Sequence, residues 1–412
     1  MRKKTLAGVD VGTTKICSVI AQVEREVFRV SGVGMTPSAG LKKGVVVNLT
    51  ETIECVKRSL EQAERDARVG VDSVFVSVGG VHVQGLNRSG KTDIRSKTGE
   101  ITKEDISRAL ADAKSIQLPR GYEVIHMLTQ GFNVDGQGHT RDPLGLIGRR
   151  LSVNLHLVLN AAAALQNVVN AVNKVGVGVN GVVMQQLASA EAVLTEDEKE
   201  LGVILLDIGG GTTDFAFYRL GSVWESAVLP IGGDLVTKDI AIGLKVTLEE
   251  AERLKKDQGT VFPERVDEEA VLEIREIGTG RPRSLLYRDL CRVIQARCRE
   301  ILLEVRKLVD GIHMRREMLT GVVLTGGGAL LDGLAEQAEE ILEIPARVGY
   351  PMPLESDKDL AFDPSHATAL GLVRYAKDMH GPGSGNGAGT MLQEPNRGTR
   401  GGLVNWILKK IT

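Results

Sequence analysis

Residues 202–220 read GVILLDIGGGTTDFAFYRL, and residues 6–21 read LAGVDVGTTKICSVIA. Each opens on a run of β-branched and other apolar residues, the pattern of a strand buried on both faces. Each run ends in an aspartate, Asp207 in one and Asp10 in the other. A Gly-Thr turn follows and a second apolar run returns, so each stretch predicts a β-hairpin with an acid near the tip of its first strand.

Outward from the hairpins, the two regions continue to match in kind. After the first come VFRVSGVG, GVVVNL, a helix read as starting from a Thr50 cap, and SVFVSVGG. After the second come GSVWESAVLPIGG, a helix from Asp234 and eventually GVVLTGG. A repeated β-β-β-α-β unit predicts two similar α/β halves, each a mixed sheet flanked by helices, with a ligand cleft between them. Two segments interrupt this plan. Residues 84–159 begin polar, continue as the amphipathic helix TKEDISRALADAKSI with Thr102 as cap and Asp105 completing a capping box, and end in two strands, which predicts a small inserted domain. Residues 238–299 are rich in charge and read as mostly helical.

Bulk properties narrow the class. A chain of 412 residues, 42% hydrophobic and 25% charged, has room for two to four domains and needs no disulfide or metal staple. A net charge of -2 supplies no basic field, so nucleic acid is not an expected partner. Cys17, Cys55, Cys291 and Cys298 form no CxxC pair and read as reduced thiols, and the histidines show no ligand spacing. MRKKTLAGVDVG passes straight into a strand, so no signal peptide is expected, and no window reaches about 18 uninterrupted apolar residues.

The glycines carry the chemistry. In DIGGGTTDF, Gly209, Gly210 and Gly211 let backbone N–H groups approach an anion, and Thr212 and Thr213 add hydroxyls. Asp207 and Asp214 suit hydrated Mg²⁺ bridging to phosphate better than phosphate itself. GVDVGTTK repeats the logic with Asp10, Gly12, Thr13, Thr14 and the point charge of Lys15. One such turn is commonly only a tight hairpin; two at matching places in duplicated halves read as a nucleotide clamp. Gly326, Gly327 and Gly328 follow a strand and open a helix, either as a flat seat for a nucleoside or as a packing turn. Glu252 and Lys255 share a helix face, either gripping ribose and base or facing solvent as an ion pair.

The order GVDVGTTK, QQLASAEAVL, LLDIGGGTTD, LPIGGD, LTGGGALL, PSHATALGLVRYA resembles the actin/heat-shock-70/sugar-kinase superfamily of ATP-binding proteins over nearly the whole chain. Within it, LASAEAVLTEDEKELGVILLDIGGGTTDFA, IGGDLVTKDIAIGL and the position of the first insert are most similar to the bacterial cell-division FtsA family. The resemblance implies an α/β fold of actin-like duplicated ribonuclease-H-type domains around a nucleotide cleft, with an FtsA-type inserted subdomain. Residues 1–83 and 160–199 would form the first half, closed by a helix at about 365–379. Residues 84–159 would be the insert, 200–237 and 300–364 the second half, and 238–299 its own insert. It implies ATP and Mg²⁺ as cofactors, with Asp10 and Asp207 holding hydrated metal. Gly12, Thr13, Thr14, Lys15 and Gly209 through Thr213 would meet phosphate, Asp234 would support the site, and Glu252, Lys255, Gly326, Gly327 and Gly328 would line the nucleoside pocket. Gln186 falls where hydrolysing relatives orient water. A neutral Gln is a poor base, so the chain is at most a slow ATPase.

The last residues read as a tether followed by a short amphipathic helix. Residues 380–402, with eight glycines between Gly381 and Gly402, read as a flexible linker with an r.m.s. reach of roughly 25 Å. In LVNWILKKIT, Leu403, Val404, Trp406, Ile407, Leu408 and Ile411 share a helical face, with Lys409 and Lys410 at its side. A helix of about 15 Å cannot span a bilayer; it either lies in the interface on anionic lipid or docks on protein. The resemblance favours the membrane. It implies a filament-forming protein that tethers the tubulin-like FtsZ to the inner face of the cytoplasmic membrane at the division site, and that recruits later division proteins. Its partners would be FtsZ, further copies of itself, anionic inner-membrane lipids and those later proteins. A PilM-like pilus-assembly protein and a small-molecule kinase of the same superfamily are the alternatives; an aromatic content of 3% leaves few stacking residues for a sugar.

Overall fold

The computed structural model describes residues 4–24, 27–312, 316–352, 355–356 and 362–380. The linker and terminal helix expected at 380–402 and 403–412 lie, apart from residue 380, outside the described residues.

The apolar run before Asp10 is β1 (Lys4–Val11), and it pairs antiparallel with β2 (Lys15–Glu24) through Val11↔Ile16, which leaves Gly12, Thr13 and Thr14 as the turn. There follow β3 (Val27–Pro37), the two-residue ladder β4 (Leu41–Lys42) and β5 (Val45–Val46), α1 (Leu49–Ala67) and β6 (Ser73–Val78). The insert is β7 (Val83–Asp93), α2 (Lys103–Lys114), β8 (Tyr122–Val134), β9 (Gln137–Thr140) and β10 (Arg150–Ala161). The chain returns through α3 (Ala162–Asn173), β11 (Gly178–Met184), α4 (Gln185–Val193) and α5 (Glu196–Leu201). The second hairpin is β12 (Val203–Ile208) and β13 (Thr213–Arg219), followed by β14 (Ser222–Leu229), α6 (Gly233–Leu244), α7 (Leu248–Gln258), β15 (Val271–Arg275), β16 (Pro282–Leu286) and α8 (Tyr287–Asp310). β17 (Gly321–Thr325), α9 (Leu334–Leu342), β18 (Ala346–Val348), β19 (Glu355–Ser356) and α10 (Ala367–His380) complete the described chain.

The duplication read from the hairpins holds at the level of topology. The first sheet contains the order β11-β6-β1-β2-β3, and the second is β18-β17-β12-β13-β14 when read in the same direction. In both, an antiparallel meander of three strands is extended by two parallel ones. The insert forms its own antiparallel sheet, β7-β10-β8-β9, with a separate core of Ile101, Ile106, Leu151, Val153 and Leu155 beneath α2. Both bonds of the Thr102–Asp105 capping box are present.

Three local expectations need correction. α1 starts at an Asn48 cap, whose side chain accepts from the Glu51 N–H, rather than at Thr50. Asn caps a helix as well as Ser or Asp and better than Thr. Residues 238–299 contain the β15–β16 hairpin, which the high charge disguised: VLEIR alternates along its length and GTG supplies the turn. The limit drawn at residue 299 falls inside α8, whose buried face runs unbroken through Ile294, Cys298, Ile301 and Val305.

The two halves meet where α4 and α10 cross. A Cβ at Gly371 of α10 would overlap the backbone carbonyl oxygen of Ala188 in α4. A rigid backbone atom cannot move aside as a side chain can, so this crossing admits only glycine. Gly371→Ala is therefore expected to lower the unfolding midpoint, at a cost of about 1–3 kcal/mol. Gly178→Ala, where the nearest atoms lie at 3.5 Å, should leave it nearly unchanged, and thermal unfolding compares the two.

Candidate functional site

The two hairpin turns touch. A Cβ on Gly210 would overlap the Thr14 methyl and lie 2.7 Å from Asp234 Oδ1. One on Gly211 would lie 2.8 Å from Thr13 Oγ1 and 3.0 Å from Lys43 Cα. None of Gly12, Gly209, Gly210 and Gly211 has a left-handed backbone, so here the glycines serve closeness and not a special turn. The first turn is closed by Gly12 N–H on Lys15 O at 3.1 Å, and Thr13 Oγ1 accepts from Gly44 N–H at 3.0 Å, which ties it to the β4–β5 ladder. The second is closed by Gly209 N–H on Thr212 O at 2.9 Å. Residues after β14 fold under it: Gly233 N–H donates to Gly209 O at 2.9 Å and Asp234 N–H to Gly210 O at 2.8 Å. The hydroxyls expected to face an anion are already committed. Thr212 Oγ1 donates to Asp214 Oδ2 at 3.0 Å and Thr213 Oγ1 to Ile231 O at 2.9 Å.

Asp10 and Asp207 occupy the penultimate places of β1 and β12, so the duplication aims both acids at the same cleft. Both are buried. Ser77 Oγ donates to Asp10 Oδ1 at 2.7 Å and Gln185 Nε2 at 3.3 Å. Asp207 Oδ2 accepts from Ser189 of α4 and from Thr368 Oγ1 of α10, the latter at 3.2 Å. Burial pushes the Asp207 carboxyl up to about 6; the neighbouring Asp10 charge adds to this, and the two hydroxyl bonds offset part of it. Burial likewise raises Asp10, against Ser77, Lys15 and Gln185. Asp214, buried on the adjacent strand opposite Asp207, is raised furthest, by burial and then by the Asp207 charge, and its Oδ1 has no partner. Asp234 is raised by burial against the pull of Lys255.

The remaining candidates arrange themselves around this centre. Lys15 Nζ donates to Ser365 O, and Gly326 N–H donates to Pro364 O at 3.2 Å, so the third glycine cluster is joined to the first hairpin through residues 364–365. Gly326 takes a left-handed φ of 78°, and a Cβ there would strike Asp207 Oδ1; Gly328 lies against Ile208. This cluster leads into a short 3-10 turn, Gly327–Leu330, and α9 begins only at Leu334. Glu252 and Lys255 are bonded to each other at 2.6 Å, and Lys255 Nζ also reaches Gly233 O at 3.2 Å, directly behind Asp234. Burial opposes the Glu252 charge, but bonds from Lys255 and Thr237 hold its carboxyl below the usual range.

Gln186 differs from expectation. Its side chain is fully buried under β14, with Nε2 donating to Ala227 O at 3.3 Å and Oε1 unpartnered. The residue that reaches Asp10 is its neighbour Gln185, which sequence reasoning missed. The signal was the doubled glutamine itself: on adjacent positions of a helix start, the two side chains must diverge by about 100°. The membrane candidates Leu403, Val404, Trp406, Ile407, Leu408, Lys409, Lys410 and Ile411 lie outside the described residues.

Among the described residues no three His, Cys, Asp or Glu side chains converge as a metal cage. Two buried acids that repel each other, with a third bearing an unpaired oxygen, fit a hydrated Mg²⁺ completed by phosphate, the form in which this ion usually binds. Without cation or nucleotide the acids oppose folding. A carboxyl raised to about 6 from an unfolded value near 3.8 contributes stability at low pH that is lost as pH rises through 6, about 3 kcal/mol for Asp207. Asp207→Asn, measured free of metal and nucleotide, is expected to unfold later than the parent at pH 7–8, with the gap closing as pH falls toward 4. Equal midpoints at pH 7.5 would refute this.

A sequence model of cell division protein FtsA matches residues 204–371, and one of the SHS2 domain inserted in FtsA matches residues 80–159. The cell division protein FtsA of Pseudomonas aeruginosa is 35% identical over 408 residues, covering 98% of this chain and 97% of that one. That of Borreliella burgdorferi is 35% identical over 414 residues and 100% of both chains, and that of Escherichia coli K12 is 33% identical over 386 residues, 92% and 91%. Among solved structures, a chain of a PilM-PilN type IV pilus biogenesis complex superposes with a TM-score of 0.63 at 17% identity, covering 89% of this chain and 97% of that one. MreB5 of Spiroplasma citri bound to ADP gives 0.54 at 14%, covering 91% and 97%. At such identities the structures speak to the fold alone, which is actin-like. With a third of its residues identical to those relatives over nearly its whole length, and with the inserted sheet matched as a unit of its own, the chain belongs to the FtsA family of cell division proteins.

Proposed function

We propose that this chain binds ATP with Mg²⁺ between its glycine hairpins, polymerises, and holds FtsZ and later division proteins at the inner face of the cytoplasmic membrane through residues 403–412. One observation carries the nucleotide reading: two duplicated hairpin tips in contact, each backed by a buried acid whose charge the protein alone leaves poorly compensated. Backbone N–H groups of Gly210 and Gly211 would face the phosphates, with Gly12 and Gly209 holding the two turns closed through their own N–H bonds, and Lys15 would exchange Ser365 O for phosphate oxygen. Asp10 and Asp207 would hold the waters of the cation, which supplies charge neutralisation when bound. Asp234 would brace the second turn, while Gly326–Gly328 with Glu252 and Lys255 would border the nucleoside. Gln186 Oε1, a buried acceptor without a partner, is the atom of α4 that would receive an ordered water. A neutral Gln is a poor base, so hydrolysis should be slow and nucleotide should act mainly as a switching ligand.

The division role rests on family membership, and the tail explains its logic. Each lysine near anionic lipid contributes about 1 kcal/mol, so one short interfacial helix holds weakly. Copies joined in a filament hold together by avidity, on the order of a hundredfold or more. Among the described residues no helix is long and apolar enough to cross a membrane.

A fluorescent ATP analogue should bind in the presence of Mg²⁺. Lys15→Ala, and Gly210→Val, which places a side chain between the tips, should each weaken binding at least tenfold; no binding by the parent would end the reading. Deleting residues 403–412 should leave that affinity intact while abolishing sedimentation with anionic liposomes. Undiminished sedimentation of the truncated chain would exclude those residues as the anchor.

A further inference from the structure

β14 is the edge strand of the second sheet, and its free edge meets the insert. From β7, Asn87 Nδ2 donates to Trp224 O at 2.9 Å and to Glu225 Oε1 at 2.8 Å. From β8, Gln130 Nε2 donates to Trp224 O and to Asn87 Oδ1, each at 3.1 Å, and Thr129 O accepts from Ser222 Oγ at 2.8 Å. From β10, the fully buried His156 sets Nδ1 2.7 Å from Asn87 Oδ1 and Nε2 2.8 Å from Ser226 Oγ. The Asn87 oxygen can only accept, since its nitrogen is committed as donor. His156 therefore carries its proton on Nδ1, and Nε2 accepts the Ser226 hydroxyl. Every strand of the insert but β9 thus contributes one side chain to a single polar cluster on β14.

The far end of the same strand belongs to the glycine loops. Ala227 O holds Gln186, and just past Leu229 the chain supplies Ile231 O to Thr213 and the N–H groups of Gly233 and Asp234 to Gly209 and Gly210. From Ser226 to Ile231 the chain spans at most about 17 Å. A Cβ on Gly232 would lie 2.6 Å from both the Gly209 and Gly210 oxygens, so this segment cannot shift without disturbing the second turn.

We propose that β14 couples the two ends: the Asn87–Gln130–His156 cluster holds the strand in place and so preorganises the loop at residues 231–234 for a nucleotide, and the bound nucleotide in return tightens the insert against the second half. This rests on the nucleotide reading above. A held strand spares the ligand the entropy of ordering the loop, and linkage makes the effect reciprocal. The insert then acts as a part of the ligand switch and not merely as an attached module.

The test uses the full chain with Asn87→Ala, an exposed position whose change should not unfold the protein, and Ser226→Ala as the second variant. Both should raise the Kd for the fluorescent ATP analogue at least fivefold. In the parent, ATP should slow amide exchange in β7, β8 and β10; in Asn87→Ala it should not. Without nucleotide, Asn87→Ala should speed exchange of residues 231–234. Affinities within twofold of the parent, or protection by ATP confined to the glycine loops, would overturn the proposal. Should the parent bind no ATP, the nucleotide reading fails, and the exchange of residues 231–234 still decides the latch: unchanged exchange removes it.

Discussion

Everything in this molecule is arranged around the tip-to-tip contact of two glycine hairpins. Thr13 and Thr14 from one half meet Gly210 and Gly211 from the other with no room for a methyl group. That approach brings Asp10 and Asp207, which the strands already aim inward, into one dry volume, where burial raises both carboxyls and the Asp10 charge adds a smaller push on Asp207. Desolvated like charges are unstable neighbours, and strongly shifted carboxyls of this kind cluster at functional sites. The unfavourable charge is thus local and buried, and it sits beside the helix crossing at Gly371 and Ala188 where the two halves meet.

Duplication explains why two halves with different inserts share one site. The same strand order, a three-strand meander extended by two parallel strands, puts the penultimate residue of β1 and that of β12 at equivalent places. What differs is the bracing. Asp10 is held from β6 and α4 by Ser77 and Gln185; Asp207 is held from α4 and α10 by Ser189 and Thr368. α4 therefore bonds to both acids and α10 to Asp207, so the helices that cross between the halves also carry the groups that brace the charge in the cleft. The inserted sheet reaches the same centre by another route, along β14.

The apolar runs of the buried strands, the paired acid-glycine-threonine turns and the capping box at Thr102 were legible without coordinates, because each is a local rule enforced by backbone geometry. So was the family, since its motifs lie in a fixed order along nearly the whole chain. Less local facts were not legible. Charge masked the β15–β16 hairpin, since alternation over five residues is a weak signal beside a run of Glu and Arg. Asn48 and Thr50 are both capping residues, Asn the stronger of the two, and the entry of the chain into α1 places the cap at Asn48.

The sequence by itself determined the doubled α/β plan, the inserted unit and the acids and glycines of the cleft, because strand period, turn chemistry and motif order need only neighbours along the chain. Only the tertiary structure decided that Gln185 and not Gln186 faces Asp10, that the Thr212 and Thr213 hydroxyls are spent on the protein, and that His156 of the insert bonds to the strand feeding the second glycine loop. Each of these depends on which atoms from distant segments arrive at one point, and hydrogen bonds form or fail over tenths of an ångström that no spacing along a chain encodes.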